Sequence, residues 1–512
     1  MEVKISDINK YATFLLVLFI EFSYCTNKPE PPNIIYILAD DLGYGELGAY
    51  GQEIIETPNL DALAKNGMLF TQHYAGSPVC APSRSVLLTG QHTGHTYIRG
   101  NDEWKERGKV WDYNAVFNDP GLEGQRPLPD SVVTIAEILQ QNGYRTGFIG
   151  KWGLGAPETE STPNKQGFDY FYGYNCQRQA HTLYPMHLWE NGDKILLNNK
   201  SVPPHSNLPD GADPNDPENY ADFTLKDYAP ELMHLKALNF IESSKEGPFF
   251  LLYASPLPHL PLQAKEKWVN YYKTKLGIEE PYTGKSYFPN QTPRATYAAM
   301  ISTLDEQVGD LVVALVKNKI WENTLIIFTS DNGPTYAGGP DTKFFNSAKP
   351  FKSDYGWSKG FLHEGGIRVP MIASWPNKIK YQSKTDHVSA FQDIMSTICE
   401  IIGVPPVSIT DGISFLSTLL GEKQTSTHDF LYWEIPEYSG QQAVRIGNYK
   451  AIRKNIFKGN LEIELYDLKT DIQETINVAE QFPEIVKRAE KIILREHVSS
   501  EISSFKFSIL GD

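Results

Sequence analysis

Four oxygen-bearing residues come as two adjacent pairs far apart in the chain, Asp40-Asp41 and Asp331-Asn332. Three carboxylates and one carboxamide make an all-oxygen donor set. A hard divalent cation prefers such a set, and flexible loop-end geometry suits calcium better than magnesium. Either pair alone reads as an ordinary helix or turn cap; both pairs at one place read as a metal site. Cys80 stands just ahead of a predicted helix, where backbone N–H groups and the helix dipole favour an anion or a reactive thiolate. A plain nucleophilic cysteine needs a histidine base, and none can be assigned to it locally. Its own surroundings therefore leave Cys80 either reactive or a half-buried structural residue.

These residues need a frame that brings them together. Residues 33–39 are a continuous apolar run, the pattern of a strand buried on both faces, and end on Asp40-Asp41-Leu42-Gly43. Thr57 caps a helix with Pro58 at its first position and Leu60, Leu63 and Ala64 on one face. A second helix starts just after Cys80, with Pro82 in its first turn. A third starts at Ser131 and stops at Asn142-Gly143. Strands are predicted at 144–150, ending at Lys151; at 248–254, running into Pro258-His259; and at 324–329, ending at Ser330-Asp331-Asn332-Gly333. A long helix covers 294–319. The alternation predicts an α/β fold, a large mostly parallel sheet sandwiched by helices. In open sheets of this kind ligands bind beyond the carboxyl ends of the strands. Asp40-Asp41, Lys151, His259 and Asp331-Asn332 all follow predicted strands. Past residue 424, short aromatic or alternating segments predict a small antiparallel sheet with a final helix from Pro483. The expected organisation is a signal segment at 1–25, a catalytic domain at 26–424 and an α+β subdomain at 425–512.

With 512 residues, 41% hydrophobic and 21% charged, the composition is that of a globular protein. A net charge of −15 without a long Lys/Arg run excludes nucleic acid as the expected partner. Any anionic substrate must then be drawn by a local cluster of cations. Residues 11–20 are apolar, follow Lys4 and Lys10, and are too short to span a bilayer, as in a signal-peptide core. Cys25 and the polar, Pro-rich stretch after it resemble a bacterial lipoprotein signal, with Cys25 lipidated and anchored to a membrane. The alternative is simple secretion with cleavage nearby, because Tyr24 is bulkier than the residue usual before such a cysteine. The expected location is exported: a periplasmic or cell-surface lipoprotein, otherwise a secreted protein. Cys80, Cys176 and Cys399 then remain, and they form neither a disulfide framework nor the paired spacing of a zinc site.

The run Cys80-Ala81-Pro82-Ser83-Arg84-Ser85-Val86-Leu87-Leu88-Thr89-Gly90 resembles the signature of type I sulfatases, members of the alkaline-phosphatase superfamily. Companion motifs follow in the family's order: Asp40-Asp41-Leu42-Gly43, Gly150-Lys151-Trp152-Gly153-Leu154-Gly155, Pro258-His259, Ser330-Asp331-Asn332-Gly333, and Lys359 ahead of His363-Glu364-Gly365-Gly366-Ile367-Arg368-Val369-Pro370. The resemblance covers nearly the whole chain after residue 33. It implies that a maturation enzyme converts Cys80 to formylglycine, whose hydrate attacks sulfur. It also implies that Asp40, Asp41, Asp331 and Asn332, with the modified Cys80, hold the metal. Arg84, Lys151 and Lys359 would then neutralise sulfate, His259 would protonate the departing alcohol, and Asp331 would take the nucleophile's proton.

Where many relatives carry Lys-Trp-His-Leu-Gly, this chain has Gly153, so the histidine that helps sulfate leave is missing; His181 is the candidate to replace it. The aromatic segments 167–174 and 184–189 resemble those of sulfatases acting on galactose or N-acetylgalactosamine type sugars of polysaccharides, and are expected to line the sugar side of a substrate pocket together with His181, Lys151, Lys359 and His259. Two other functions compete: a phosphoester or phosphonate hydrolase on the same scaffold, and a carbohydrate-binding protein whose Cys80 is never modified.

Overall fold

The computed structural model describes residues 30–407 and 409–512, so the expected signal segment at 1–25, with Cys25, lies outside the described residues. An 11-stranded sheet dominates the fold. Its middle is parallel, in the order β8 (Thr324–Ser330), β1 (Asn33–Ala39), β7 (Phe249–Ala254), β3 (Arg145–Lys151) and β4 (Tyr170–Tyr174). Antiparallel strands extend it on both sides. β9 (Arg368–Ser374) links β8 to β2 (Met68–Tyr74), and β5 (His187–Glu190) and β6 (Asp193–Leu196) continue from β4. Short β10 (Ser383–Thr385) and β11 (Ser389–Ala390) pair parallel to β2.

The apolar run of β1 shows why the sheet must be covered twice. Ile35, Ile37 and Ala39 enter one core with the helices Pro58–Lys65, Ala229–Ser244 and Pro293–Lys317. Ile34, Tyr36 and Leu38 enter a second core with Cys80–Thr89, Ile135–Gln141 and Asp393–Ile402. Side chains alternate across a strand, so a fully apolar strand needs helices on both faces.

Two expectations need correction. The helix expected from Ser131 begins at Ile135, because Thr134 and Glu137 form a reciprocal capping box that satisfies the first free N–H groups there. The aromatic segments expected to face a sugar are core instead. Phe168, Phe171, Tyr172, Tyr174, Tyr184 and Trp189 are all buried in the two cores. β4 is an interior strand under helices on both faces, so it has no wet side to offer. Strand β2 escaped the sequence reading because its register shifts between Phe70 and His73, which breaks the apolar alternation.

The second sheet is antiparallel: β12 (Leu431–Ile435), β13 (Gln441–Ile446), β14 (Tyr449–Lys454) and β15 (Ile463–Asp467). One face, with Trp433, Ile435, Ala443 and Ile452, packs on Tyr74, Val79, Leu362 and Ile367 of the larger body. The other takes Ala489, Ile492 and Ile493 of the final helix Pro483–Glu496. Residues Pro32–Asp512 form one compact unit.

Candidate active site

The carboxyl ends of β1, β3, β7 and β8 converge on one buried centre. β1 runs straight into Asp40 and Asp41. Asp41 takes a left-handed φ of 64°, costly for a non-glycine residue. The turn is held by Asp41 N donating to Asp331 Oδ1 (3.1 Å) and Leu42 N donating to Ser330 Oγ (2.8 Å). It brings Asp41 Oδ1 to Asn332 Nδ2 at 2.8 Å and Asp41 Oδ2 to Lys359 Nζ at 2.7 Å. His259, a few residues after β7, points Nε2 at Asp41 Oδ2 (3.7 Å) and hydrogen-bonds the Leu260 carbonyl through Nδ1 (2.6 Å).

Cys80 opens the helix Cys80–Thr89, and its thiol donates to Asp40 Oδ1 at 3.6 Å. One turn later Arg84 donates to Asp331 Oδ2 through Nε (3.1 Å) and Nη2 (2.8 Å), reaches Asp40 Oδ2 (3.3 Å) and caps the Lys151 carbonyl. Lys151 Nζ, at the end of β3, lies 2.6 Å from Asp40 Oδ2. Cys80, Arg84, Lys151, His259, Asp40, Asp41, Asp331 and Asn332 are all buried, and Lys359 nearly so. Every residue that the sequence put at the catalytic and metal positions is therefore in one cluster.

The cluster fits a divalent cation. Asp40, Asp41, Cys80 and His259 each offer a ligand atom, all within 4.8 Å of one another. Asn332 Oδ1 is buried with no hydrogen-bond partner, although Nδ2 of the same carboxamide is fully used by Asp41 and Gly333. A buried acceptor without a donor is costly, and a cation would satisfy it.

Electrostatics separate the roles further. Burial opposes charge on Asp40, but Lys151, His259, Arg84 and Lys359 hold its carboxyl well below the usual range. Burial raises Asp41 against the pull of Lys359. Burial, helped by the negative charge of Asp40, pushes Asp331 up to about 6. Burial pushes the Cys80 thiol up to about 12 although Lys151 and Lys359 pull it down. Burial drives His259 well below its ordinary value, with Lys151 and Lys359 adding to the effect.

His181 does reach the centre. Its ring centroid is 5.7 Å from that of His259, and its Nδ1 is buried without a partner. Position 153 explains the gap in the motif. Gly153 has φ 80°, and a Cβ built on it would lie 3.3 Å from Gln177 Oε1 and 3.9 Å from Arg84 Cδ. A side chain there would project toward Arg84, and Gln177 holds that space instead. Sequence reasoning missed Gln177, Tyr287 and Trp111, which wall this side. The Tyr287 ring lies tilted against His181 at 5.2 Å, and the Trp111 ring meets it edge-on at 5.4 Å. All three lie on connecting segments without periodicity, and only their type (polar or aromatic) hinted at a role.

A family model described as Sulfatase matches residues 32–404. The chain belongs to the sulfatase family. A second model, the C-terminal part of N-sulphoglucosamine sulphohydrolase, matches residues 353–498 of the sulfatase. The sulfatase is 31% identical to the N-acetylgalactosamine-6-sulfatase of Canis lupus familiaris over 448 residues, 85% of this chain and 74% of that protein. It is 28% identical to the N-acetylgalactosamine-6-O-sulfatase of Bacteroides thetaiotaomicron, covering 91% and 93% of the two chains. The solved structure of Ps i-CgsB in complex with k-i-k-neocarrahexaose matches 93% of the sulfatase and 96% of that chain, with a TM-score of 0.72 and 26% identity. The sulfatase is thus a sulfuric ester hydrolase, built on the alkaline-phosphatase-like α/β fold expected from its sequence.

Proposed function

We propose that this sulfatase hydrolyses sulfate esters on galactose or N-acetylgalactosamine type carbohydrates, with formylglycine made from Cys80 as nucleophile and calcium as the bound cation. The observation that carries the reading is the setting of residue 80, enclosed by carboxylates and three cations. The substrate class draws on the relatives' names, two of which are N-acetylgalactosamine-6-sulfatases. The reading also requires a formylglycine-generating enzyme as partner. Export as a lipoprotein through Cys25, or by secretion, belongs to the same proposal.

As formylglycine, residue 80 supplies a hydrated aldehyde whose hydroxyl can attack sulfur and whose aldehyde re-forms when sulfate departs. When bound by Asp40, Asp41, Asp331 and Asn332, the cation supplies Lewis-acid charge for the sulfuryl oxygens. Calcium suits the all-oxygen set and the flexible strand-end loops. The chain's own residues do the rest. Arg84 is fixed by Asp331 and Asp40 one helical turn from residue 80, so it orients the nucleophile and faces sulfate. Lys151 and Lys359 now neutralise Asp40 and Asp41, and their ammonium groups are the mobile charges able to turn to sulfate oxygens. Asp331, held by the Arg84 guanidinium, is the carboxylate assigned to take the nucleophile's proton.

His259 commits Nδ1–H to the Leu260 carbonyl, so Nε2 is the atom that faces the reaction. Burial, with Lys151 and Lys359 close by, disfavours its charged form; a sulfate anion beside it favours protonation, and the imidazolium can then give its proton to the leaving oxygen. His181, beside it, stands in for the histidine absent at Gly153 during sulfate release.

The test is sulfate release by matured protein from a panel of defined sulfated galactose and N-acetylgalactosamine sugars, run beside matched phosphate esters. Faster turnover of sulfated sugars supports the reading. Faster phosphate release, or no turnover of any sulfated sugar, overturns it.

A further inference from the structure

A cavity of about 380 Å³ opens where the loop after Gly100 meets the turn between β12 and β13 and the C-terminal segment, lined by Asn101, Asp102, Glu103, Arg126, Glu437 and Ser504 among others. That volume lies within the usual range for small-molecule sites. Two hydrogen bonds tie its wall to the residue that follows Cys80. Asn101 Oδ1 accepts from the N–H of Ala81, the residue after Cys80, at 3.1 Å, and Asn101 N donates to Glu437 Oε1. Glu103 also pairs with Arg178 (3.5 Å), at the start of the segment that carries His181.

The lining offers the donors and acceptors that the hydroxyls of a polyol need. Arg126 pairs with Asp102 at 2.9 Å and with Glu106 at 3.1 Å, and Ser504 donates to Asp102 at 3.2 Å. Planar carboxylate and guanidinium groups offer paired acceptors and donors to neighbouring hydroxyls. The other oxygen of Glu437, Oε2, is buried without any partner. Glu437 lines the cavity, and a buried acceptor without a donor is costly. Burial pushes the Glu437 carboxyl up to about 8, so near neutral pH it can donate as well as accept.

We propose that this cavity seats a sugar ring of the substrate, with Glu437, Asp102 and Arg126 reading its hydroxyl or acetamido groups. It rests on the carbohydrate reading given above and adds the residues that recognise the sugar, none of them in the sulfatase motifs.

Matured full-length enzyme is assayed on the sulfated sugar it turns over best in the panel above. Glu437→Gln keeps an acceptor for Asn101 N–H, so a merely structural Glu437 would leave KM where it is. Ser504→Trp fills the cavity from an exposed position and does not depend on Glu437. The expected result is a KM raised on the order of tenfold or more in both variants, with kcat falling by less than KM rises. A KM within about twofold of wild type in both folded variants overturns the cavity assignment while leaving the carbohydrate reading intact. Failure of the wild-type enzyme on every sulfated sugar overturns the carbohydrate reading instead, and this assignment with it.

Discussion

Two clusters among the described residues bring histidines and carboxylates within ligand distance of one another, and they behave as opposites. Around Asp40, Asp41, Cys80 and His259, carboxylates from several strand ends crowd together with three cations, and Asn332 Oδ1 is left unpaired. In the second, His92, His95 and Asp411 meet Glu496 of the final helix. There hydrogen bonds account for the shortest contacts. His92 Nδ1 accepts from Gly94 N (3.1 Å), so Nε2 carries the hydrogen and donates to Glu496 Oε2 (3.2 Å). His95 pairs with Asp411 at 2.9 Å, and the two rings stack at 4.1 Å. A histidine with one nitrogen accepting and the other donating has no lone pair for a metal. Similar residue types thus give an open ligand set in one place and a closed latch in the other. The hydrogen inventory decides which.

Predictions can break or sharpen this contrast. The largest effect is at residue 80. Cys80→Ala lowers kcat/KM by at least about 10⁴-fold in a sulfate-release assay, while a small buried truncation leaves the protein folded by circular dichroism. Retained activity would remove the catalytic label from the first cluster. His259→Ala costs kcat on the order of a hundredfold to ten-thousandfold, and His181→Ala about tenfold, measured on the same substrate. An equal loss in both would make His181, not His259, the acid to examine.

Metal content addresses the contrast itself. Elemental analysis should find one divalent cation per chain both in wild type and in Glu496→Ala, with chelation lowering Tm and activity in each. Glu496→Ala should cost about 1–3 kcal/mol of stability, read by denaturant unfolding, because it leaves His92 Nε2–H without an acceptor. A cation lost together with Glu496 would make the latch a metal site after all. The smallest effect concerns His95. Burial opposes its charge, but the hydrogen bond and charge of Asp411 hold the imidazole above its ordinary value. Its contribution is therefore complete below the ordinary histidine value and is lost as pH rises through the higher folded value. The gap in unfolding free energy between wild type and His95→Gln should be widest near pH 5.5 and shrink toward pH 9, by under about 1 kcal/mol. A gap that widens with pH would contradict the pairing.

Much of the catalytic cluster was legible in the sequence because its residues follow apolar strand runs. β1, β7 and β8 are continuous hydrophobic segments, and the polar residue after each must lie at the sheet edge. Asp40, His259 and Asp331 could be placed on that basis alone, whereas Cys80 needed its motif. The walls were not legible. Gln177 matters because Gly153 opposite it takes a left-handed φ, a tertiary coincidence that no periodicity reports. Asn101 and Glu437 meet only where a loop of the larger body packs against the second sheet, and Trp111 lies on a loop that packs on His181, His205 and Arg178. The aromatic segment 167–174 misled for the converse reason: residue type alone does not distinguish a sugar platform from an interior strand.

The most direct test of the account is mass spectrometry of the peptide containing residue 80, taken from protein whose sulfate-ester hydrolysis has been measured. The account predicts that in active protein the side chain of residue 80 is an aldehyde in place of the thiol, and that activity across preparations scales with the aldehyde fraction. Full activity with an unmodified Cys80 thiol throughout would contradict it.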